Sequence, residues 1–306
     1  MSAPAVCMPD FDLSVTICSW NTRDDLRVCL QSLRDVAHEA RIETIVVDNN
    51  SEDQSAEMVE AEFPEVTLLK MPVNLGFGKG HNQAFKFAKG SVLFPLNSDA
   101  LVHQGCFTRI LAFLNTDPNI GVVGPKLLNP DGSLQYSARK FPTPLAALFR
   151  NTPLGKLFPK NKYTREYLMT DWAHDEPRDV DWVSGAAFAF TRELYEKNGG
   201  FDERFFMFLE DVDLCYRANQ AGKRVVYLPE AVVTHKIGSS TDKAPNRMIN
   251  QFHHSMLLFY KKHYLSKVTP PLRPFAVAGS TLLLLARQSL FIIKNKIDDW
   301  KRKSGN

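Results

Sequence analysis

Short apolar runs alternate with amphipathic segments through the first hundred residues. The runs are rich in β-branched and aliphatic side chains and predict buried strands at residues 13–19, 43–47, 66–70 and 91–96. Between them, apolar residues recur at helical spacing and predict helices at residues 22–36, 55–63 and 80–89. Because strands and helices alternate with short loops, we predict an α/β fold with a mostly parallel central sheet and flanking helices.

The pattern loosens over residues 133–180, which are rich in proline and in basic residues mixed with aromatic ones. This composition predicts a long functional loop that carries short helices. We expect order again at residues 182–191, in a helix at 192–198, in a strand at 224–228 and in an aromatic helix at 249–263.

Residues 275–293 are mostly apolar, but Arg287 and Gln288 interrupt them. A membrane-spanning helix needs about 20 apolar residues, so we favour a helix that lies in the membrane interface with basic flanks. A spanning helix and a soluble helix packed on the body are the alternatives. We therefore expect a globular body, residues 1–264, and a basic amphipathic tail, residues 265–306.

The distribution of charge agrees with this division. The net charge of +3 over 306 residues gives no indication of nucleic-acid binding. From Lys261 onward, however, the chain has ten basic residues and only two acidic ones. The five cysteines are scattered and contain no CxxC pair, which favours a reducing cytoplasm over a disulfide or zinc framework. The first twelve residues lack the features of a signal peptide, so we do not expect secretion.

Polar clusters follow three of the predicted strands, where ligands bind in a doubly wound sheet. They contain Ser19 and Asn21 after the first strand, Asp48 and Asn50 after the second, and Asn97, Ser98 and Asp99 after the fourth. Any one cluster alone is also explained by the turn preference of these residue types. Asp99 is the sharpest candidate, because a carboxylate at a buried strand end is costly unless it is paired or binds a cation such as Mg²⁺ or Mn²⁺.

A glycine-rich segment, residues 74–80, precedes the predicted helix that contains Asn82. Its glycines, including Gly76, and the helix N-terminus suit close contact with phosphate. The segment matches neither a dinucleotide-binding fingerprint nor a P-loop, and an ordinary strand-to-helix turn is the alternative.

Two adjacent acids, Glu210 and Asp211, follow an aromatic-apolar run. If residues 212–221 are helical, Asp211 lies in the first turn, where negative charge is favoured, and Asp213 can pair with Arg217. Asp211 against an apolar wall suits a general base for a hydroxyl nucleophile, with helix capping as the simpler alternative. His235 becomes a candidate metal or phosphate contact only beside such a site.

In their order and spacing, these motifs resemble the inverting family 2 glycosyltransferases with a GT-A fold, and most closely the bacterial rhamnosyltransferase-like enzymes of cell-surface polysaccharide assembly. The resemblance covers residues 13–264 and is carried by VVDNNS, NLGFGKGHNQ, LNSDA, DWVSGAAFAFTRE, GGFDERFFMFLEDVDLCYR and VVTHKIGSS. It implies an enzyme that transfers a sugar from a nucleotide-diphosphate sugar with the help of Mg²⁺ or Mn²⁺.

The resemblance also implies roles for the individual residues. The donor would lie along Ser19, Asn21, Asp48, Asn50, Gly76, Asn82, Asn97 and Ser98. Asp99 matches the last acid of the DxD metal motif and His235 would complete the metal site, while Asn97 stands where the first acid is expected. Asp211 matches the catalytic base, Glu210 would help to hold the acceptor, and Trp182, Ser184 and Gly185 would lie near the acceptor sugar.

The same resemblance implies dTDP-rhamnose as the donor that we favour and a saccharide or polyprenyl-diphosphate-linked acceptor. It implies a cytoplasmic protein, peripheral on the inner membrane. Three alternatives stay open. The first is a nucleotidyltransferase, which would carry a loop rich in glycine and basic residues where this chain has SWNTRDD. The second is a degenerate sugar-nucleotide-binding relative, suggested by Asn97. The third is a membrane scaffold, which rests on the tail alone.

Overall fold

The computed structural model describes residues 10–150, 152–236 and 245–303. The strands are β1 (Leu13–Ser19), β2 (Ile42–Asp48), β3 (Thr67–Lys70), β4 (Val92–Asn97), β5 (Ala100–Val102), β6 (Ile120–Leu128), β7 (Leu134–Gln135), β8 (Ala138–Arg139), β9 (Arg178–Asp179), β10 (Trp182–Val183), β11 (Ala189–Thr191) and β12 (Arg224–His235). The helices are α1 (Arg23–Asp35), α2 (Ser55–Glu62), α3 (Phe77–Phe85), α4 (Cys106–Leu114), α5 (Pro144–Phe149), α6 (Pro153–Leu157), α7 (Lys162–Leu168), α8 (Arg192–Asn198), α9 (Glu210–Gln220), α10 (Pro245–His263) and α11 (Arg273–Lys303).

The central sheet has the order β3-β2-β1-β4-β11-β6-β12-β5, with β7 beside β6 and β9 beside β12. The four strands of the N-terminal half are parallel, and so are β6 and β12. The predicted mostly parallel α/β sheet is therefore confirmed. Strand β11 is antiparallel to both of its neighbours, which sequence periodicity did not predict because this strand has only three residues.

Helix α1 shows why the N-terminal elements follow the sequence pattern so closely. Leu26, Cys29, Leu30 and Leu33 recur at helical spacing and are all buried against the sheet. Asp24 and Asp25 occupy the first turn and Arg34 the last, where each charge suits the helix dipole. The predicted helix at residues 22–36 thus differs from α1 by one residue at each end.

Two elements differ from their predicted bounds in ways that affect the site. Helix α3 begins at Phe77 instead of residue 80, so the glycine-rich segment forms part of its first turn. Strand β12 continues seven residues beyond the predicted end at residue 228, because the chain resumes pairing with β6 after an irregularity between Leu228 and Val232. This extension carries His235 to a position opposite Ala100 of β5.

The predicted loop at residues 133–180 contains the three short helices α5, α6 and α7. Each begins at a residue whose side chain accepts a hydrogen bond from the first helical turn: Thr143, Thr152 and Asn161. Proline follows the first two of these caps, in the position where a missing N–H is tolerated.

Helix α11 packs along α10 through the residues that interrupt its apolar run. Gln288 Nε2 donates to Asn250 Oδ1 at 2.7 Å, and Arg287 lies against Met256. By length and composition, Pro270–Ile297 could cross a membrane. Its outer face is apolar and exposed, with Leu282, Leu285 and Leu290 each more than half accessible.

Candidate active site

The strand-end clusters meet at one edge of the sheet. Ser19 lies opposite Asp48 in the register of β1 and β2, and Cys18 lies opposite Asn97 in the register of β1 and β4. Parallel strands in register end together, so the residues that the sequence separates by about 30 to 80 positions become neighbours here.

A chain of buried hydroxyls joins two of the predicted donor residues. Ser19 Oγ lies 2.9 Å from Thr22 Oγ1, which lies 2.8 Å from Ser98 Oγ. All three side chains are almost inaccessible. Ser19 and Ser98 therefore tie the ends of β1 and β4 together.

Asp48 is buried, and its two carboxylate oxygens differ in their hydrogen bonding. The Ser51 amide donates to Oδ2 at 3.1 Å, whereas Oδ1 has no hydrogen-bond partner among the described atoms. Asn21 and Asn50 both have positive φ, and Asn21 Oδ1 accepts from the Glu52 amide at 2.7 Å. A buried oxygen without a donor is costly, so Asp48 Oδ1 is an acceptor that still needs a hydrogen-bond donor.

Gly76 stands where the loop before α9 crosses the start of α3. Its φ is +80°, and a Cβ there would lie 2.1 Å from the Phe206 carbonyl oxygen, so only glycine fits. Asn82, predicted to lie along the donor, uses its side chain differently. Its Oδ1 accepts from the Phe201 amide and its Nδ2 donates to the Phe201 carbonyl, each at 2.9 Å. Asn82 thus supports the loop that leads to the acid pair.

Asp99 and His235 come together at the far side of this edge. The imidazole Nε2 lies 3.3 Å from Asp99 Oδ1 and 3.0 Å from Asn97 Nδ2. Both side chains are nearly buried, at 7% exposure for Asp99 and 10% for His235. The antiparallel pairing of β12 with β5 creates this contact.

Gln135, which sequence reasoning missed, orients the imidazole. Its Nε2 donates to Asn129 Oδ1 at 2.8 Å and to the His235 carbonyl at 3.1 Å, which leaves Oε1 facing His235 Nδ1 at 2.8 Å. In the neutral ring Nδ1 therefore carries the proton, and Nε2 accepts from Asn97 Nδ2 at 3.0 Å with Asp99 Oδ1 beside it. No sequence signal marks Gln135, since it lies 100 residues from its partner.

These residues fit a divalent cation that is shared with a substrate. Among the described residues no group of three or more His, Cys, Asp or Glu side chains is arranged for a metal. Asp99 and His235 would supply two ligands, and Mg²⁺ or Mn²⁺ sites commonly take the rest from substrate phosphates and water. The amide of Asn97 contributes no charge, so the protein alone holds such an ion weakly.

The acid pair is presented by an unusual turn. Phe208 and Leu209 precede α9 with φ of 69° and 65°, a conformation that costs non-glycine residues about 1–3 kcal/mol each. The turn places Glu210 and Asp211 at the first two positions of α9. Strain of this kind concentrates at functional sites.

Asp211 is held by two backbone amides. Gly185 N–H donates to Oδ2 at 2.7 Å and Val212 N–H donates to Oδ1 at 2.8 Å. Burial nevertheless raises the pKa of Asp211 above its ordinary value. Burial and the charge of Asp211 raise the pKa of Glu210 well above its ordinary value, and one Glu210 oxygen has no hydrogen-bond partner among the residues that the structure describes. Asp211 is thus the member of the pair that ionises first.

One cavity of about 460 Å³ joins these groups. Its lining includes Asn97, Asp99, Trp182, Ser184, Gly185, Glu210, Asp211 and His235. The predicted metal, base and acceptor residues are therefore brought to one space, while Asp48, Asn50 and Asn82 do not line it. Sequence reasoning missed three arginines on its wall, Arg139, Arg150 and Arg287, since two lie in the aperiodic loop and one in the tail.

The loop before β11 carries the residues that the sequence predicted to lie near the acceptor sugar. Trp182 is buried, and its Nε1 donates to the Lys140 carbonyl at 2.8 Å. Ser184 N–H donates to the Ser137 carbonyl at 2.9 Å. The part of the VVTHKIGSS motif at residues 237–240 lies outside the described residues.

The chain is similar in sequence to two rhamnosyltransferases. The N-acetylglucosaminyl-diphospho-decaprenol L-rhamnosyltransferase of Mycobacterium tuberculosis is 32% identical over 83% of this chain and 87% of that protein. The rhamnosyltransferase WbbL of Escherichia coli K12 is 25% identical over 65% of this chain and 79% of its own length.

Solved structures show the same fold at low sequence identity. The mannosyltransferase PcManGT of Pyrobaculum calidifontis, bound to GDP-Man and Mn²⁺, is 18% identical with a TM-score of 0.55, covering 96% of this chain and 79% of that chain. GalNAc-T7 with UDP, GalNAc and Mn²⁺ is 19% identical with a TM-score of 0.57, and the match covers 74% of this chain and 43% of that one. The predicted GT-A fold is confirmed.

The sequence also matches the family described as Glycosyltransferase like family 2, over residues 9–252. That span includes the strand-end clusters, the acid pair and His235, and it ends within α10. The predicted enzyme class is therefore confirmed, and the chain belongs to glycosyltransferase-like family 2.

Proposed function

We propose that this glycosyltransferase moves a sugar, with inversion, from a nucleotide-diphosphate donor to a saccharide carried on a polyprenyl diphosphate. The donor that we favour is dTDP-rhamnose, because both relatives described above are rhamnosyltransferases. The observation that carries the proposal is the Asp211 carboxylate, fixed by Gly185 N–H in the same cavity as Asp99 and His235.

The reaction is a single displacement at the anomeric carbon. Asp211 accepts the proton of the acceptor hydroxyl as its oxygen forms a bond to that carbon, and the bond from the carbon to the diphosphate oxygen breaks. The raised pKa of Asp211 favours proton acceptance at this step. Glu210, next to it and nearly buried, is placed to hold the acceptor.

At the other end of the cavity, Asp99 and His235 would hold the divalent cation. Such an ion neutralises charge on the departing diphosphate. Asp48 offers its unpartnered oxygen to a hydrogen-bond donor of the nucleoside base. Trp182 and Ser184, which line the same cavity, would contact the acceptor sugar.

The proposal also covers where the protein is located and how the chain divides into a body and a tail. The body to residue 264 carries out catalysis, and the tail from residue 265 holds the protein on the cytoplasmic face of the inner membrane. The exposed apolar face of α11 supports this location, as do its basic residues, each of which adds about 1 kcal/mol near an anionic surface.

Thermal unfolding with a panel of nucleotide-sugars, with and without Mn²⁺, tests the donor site. A ligand at 100 times its Kd adds about 2.7 kcal/mol to the free energy of unfolding. We expect one donor class to stabilise the wild type and Asp211→Ala only with metal, and to lose this effect in Asp99→Ala. If no nucleotide-sugar stabilises the wild type, the proposal is wrong.

A further inference from the structure

Three arginines line the cavity beside the acid pair, and each comes from a different part of the chain. Arg139 ends β8, Arg150 follows α5 and Arg287 lies in the middle of α11. Arg287 is only 7% exposed. The α11 helix thus contributes a buried cation, together with Phe291, to a space whose other lining residues come from the body.

None of the three makes an ion pair with a carboxylate among the side chains that the structure describes. Arg287 Nη2 donates to the Arg150 carbonyl at 3.3 Å, its Nη1 lies 3.3 Å from Met256 Sδ, and its Nε has no partner. Arg150 Nη1 reaches Tyr167 Oη at 3.2 Å. A buried cation without an anion is costly, and Arg287 is the member of the cluster to which this applies most directly.

The arginines also repel one another. Burial and the charge of Arg150 lower the pKa of Arg287 to about 10. Burial lowers the pKa of Arg150 as well, and Arg139 acts in the same direction. Arginine side chains keep their charge in proteins, so the cluster suits an anion with more than one charge. Guanidinium groups suit phosphate because they donate in pairs.

The cavity continues from the arginines into an apolar groove. This second space, of about 280 Å³, runs between α5, α10 and α11 and is lined mainly by carbon. It shares Pro142, Ala147, Leu209 and Met256 with the cavity that holds Asp211. The apolar groove therefore adjoins the cavity that contains both the Asp211 carboxylate and the three arginines.

We infer that Arg139, Arg150 and Arg287 bind the diphosphate of a prenyl-diphosphate-linked acceptor, whose prenyl chain lies in the apolar groove. The inference rests on the proposed function. The acceptor sugar then lies between Asp211 and the arginines, of which Arg139 has its guanidinium carbon 5.1 Å from the centre of the Trp182 ring. The donor diphosphate occupies a separate place, beside Asp99 and His235. The exposed apolar face of α11 continues the groove toward the bilayer.

Titration calorimetry in solution, without membranes, tests the assignment. The probes are farnesyl diphosphate, inorganic diphosphate and dTDP, and the proteins are the wild type, Arg287→Met and the control Lys294→Gln. Lys294 lies on the same helix, exposed, so the control removes the same charge outside the cavity. Arg150→Gln is a second variant that leaves α11 intact.

Loss of one charge-assisted phosphate contact is worth about a 10- to 100-fold change in affinity. We expect both arginine variants to bind farnesyl diphosphate more weakly by this factor and to bind dTDP as the wild type does. Arg287→Met should melt at the same or a higher temperature than the wild type, because it removes an unpaired buried charge. A residue with only a structural role would lower the melting temperature instead.

Other outcomes overturn the inference. If the variants lose dTDP affinity equally, the cluster belongs to the donor. If the wild type binds inorganic diphosphate as tightly as farnesyl diphosphate, the groove holds no prenyl chain. If the wild type transfers sugar and both arginine variants keep its KM for a diphosphate-linked acceptor, this inference is wrong and the proposed function stands. A wild type that transfers nothing contradicts the proposed function.

Discussion

The position of the Asp211 carboxylate depends on residue 185 being a glycine. A Cβ at Gly185 would lie 3.2 Å from Asp211 Oδ2, closer than the carboxylate comfortably allows, while the Gly185 amide supplies the hydrogen bond that orients it. Glycine here brings a backbone donor to the base at close range. The predicted place of Gly185 near the acceptor sugar stays a prediction, and the structure adds this second role.

The raised pKa of Asp211 predicts a pH dependence of activity. A base must be ionised to act, so kcat/KM should fall as the pH drops through the pKa of Asp211 in the folded enzyme. Because burial raises this pKa, the acidic limb should lie above the ordinary aspartate value of about 3.9. Initial rates at limiting acceptor across a pH series, with melting temperatures at each pH as the control, measure it. An acidic limb at or below pH 3.9 would show that Asp211 is not the base.

At the scale of elements, one buried carboxylate joins α9, the helix that begins with the acid pair, to the C-terminal helices. Asp213 is fully buried and accepts from Arg217 at 2.8 Å, from Lys262 at 2.6 Å and from His263 at 2.6 Å. The predicted pairing of Asp213 with Arg217 is therefore present. Lys262 and His263 lie on α10, so the network fixes α9, and with it the acid pair, against the element on which α11 packs.

Asp213→Asn should destabilise the protein strongly. Removing one partner from a buried charge network costs about 3–5 kcal/mol, since the remaining cations lose their counter-charge. Urea unfolding followed by circular dichroism measures the free energy of unfolding. Glu193→Gln serves as the control, because Glu193 pairs with Lys197 on the surface and its loss should matter little.

The effect of Asp213→Asn should itself depend on pH. Burial raises the pKa of Asp213, but the hydrogen bond from His263 and the charges of Arg217 and Lys262 outweigh it and leave the pKa lowered. A carboxyl with a lowered folded-state pKa stabilises the fold above its unfolded pKa and loses this contribution as the pH falls through the folded value. The difference between wild type and variant should shrink below about pH 4. A difference that stays constant there would contradict the network's electrostatic role.

At the scale of the whole molecule, the sequence predicted the elements of the N-terminal half. It did not predict the long-range contacts that bring His235, Arg150 and Arg287 to the cavity. Between Leu26 and Leu33, buried apolar residues recur at helical spacing, and the apolar run of Leu13–Ser19 ends where β1 ends. The contact of Asp99 with His235 needed the extension of β12 past Leu228, which no local pattern marks. Arg150 and Arg287 meet only because α11 folds back on the body, 137 residues along the chain.

The exposed face of α11 predicts binding to membranes. Replacing Leu282, Leu285 and Leu290 by glutamine should lower the partition onto anionic vesicles by at least about tenfold, because burial of each leucine contributes about 1.5–3 kcal/mol. Vesicle sedimentation measures it. The control replaces Val28, Val73 and Phe87, which are equally exposed but lie on the body. Equal loss in both triple variants, or no binding by the wild type, would contradict the interfacial role of the tail.

The most direct test of the account is sugar transfer by the wild type and by Asp211→Asn. The substrates are the nucleotide-sugar that stabilises the protein and a short-chain N-acetylglucosaminyl prenyl diphosphate, with mass spectrometry of the product and NMR of its anomeric centre. We predict an inverted glycosidic bond from the wild type, and a rate about 10²- to 10⁴-fold lower from Asp211→Asn with donor binding intact. Donor binding without transfer would favour a catalytically inactive relative, and full activity in Asp211→Asn would contradict the assignment of the base.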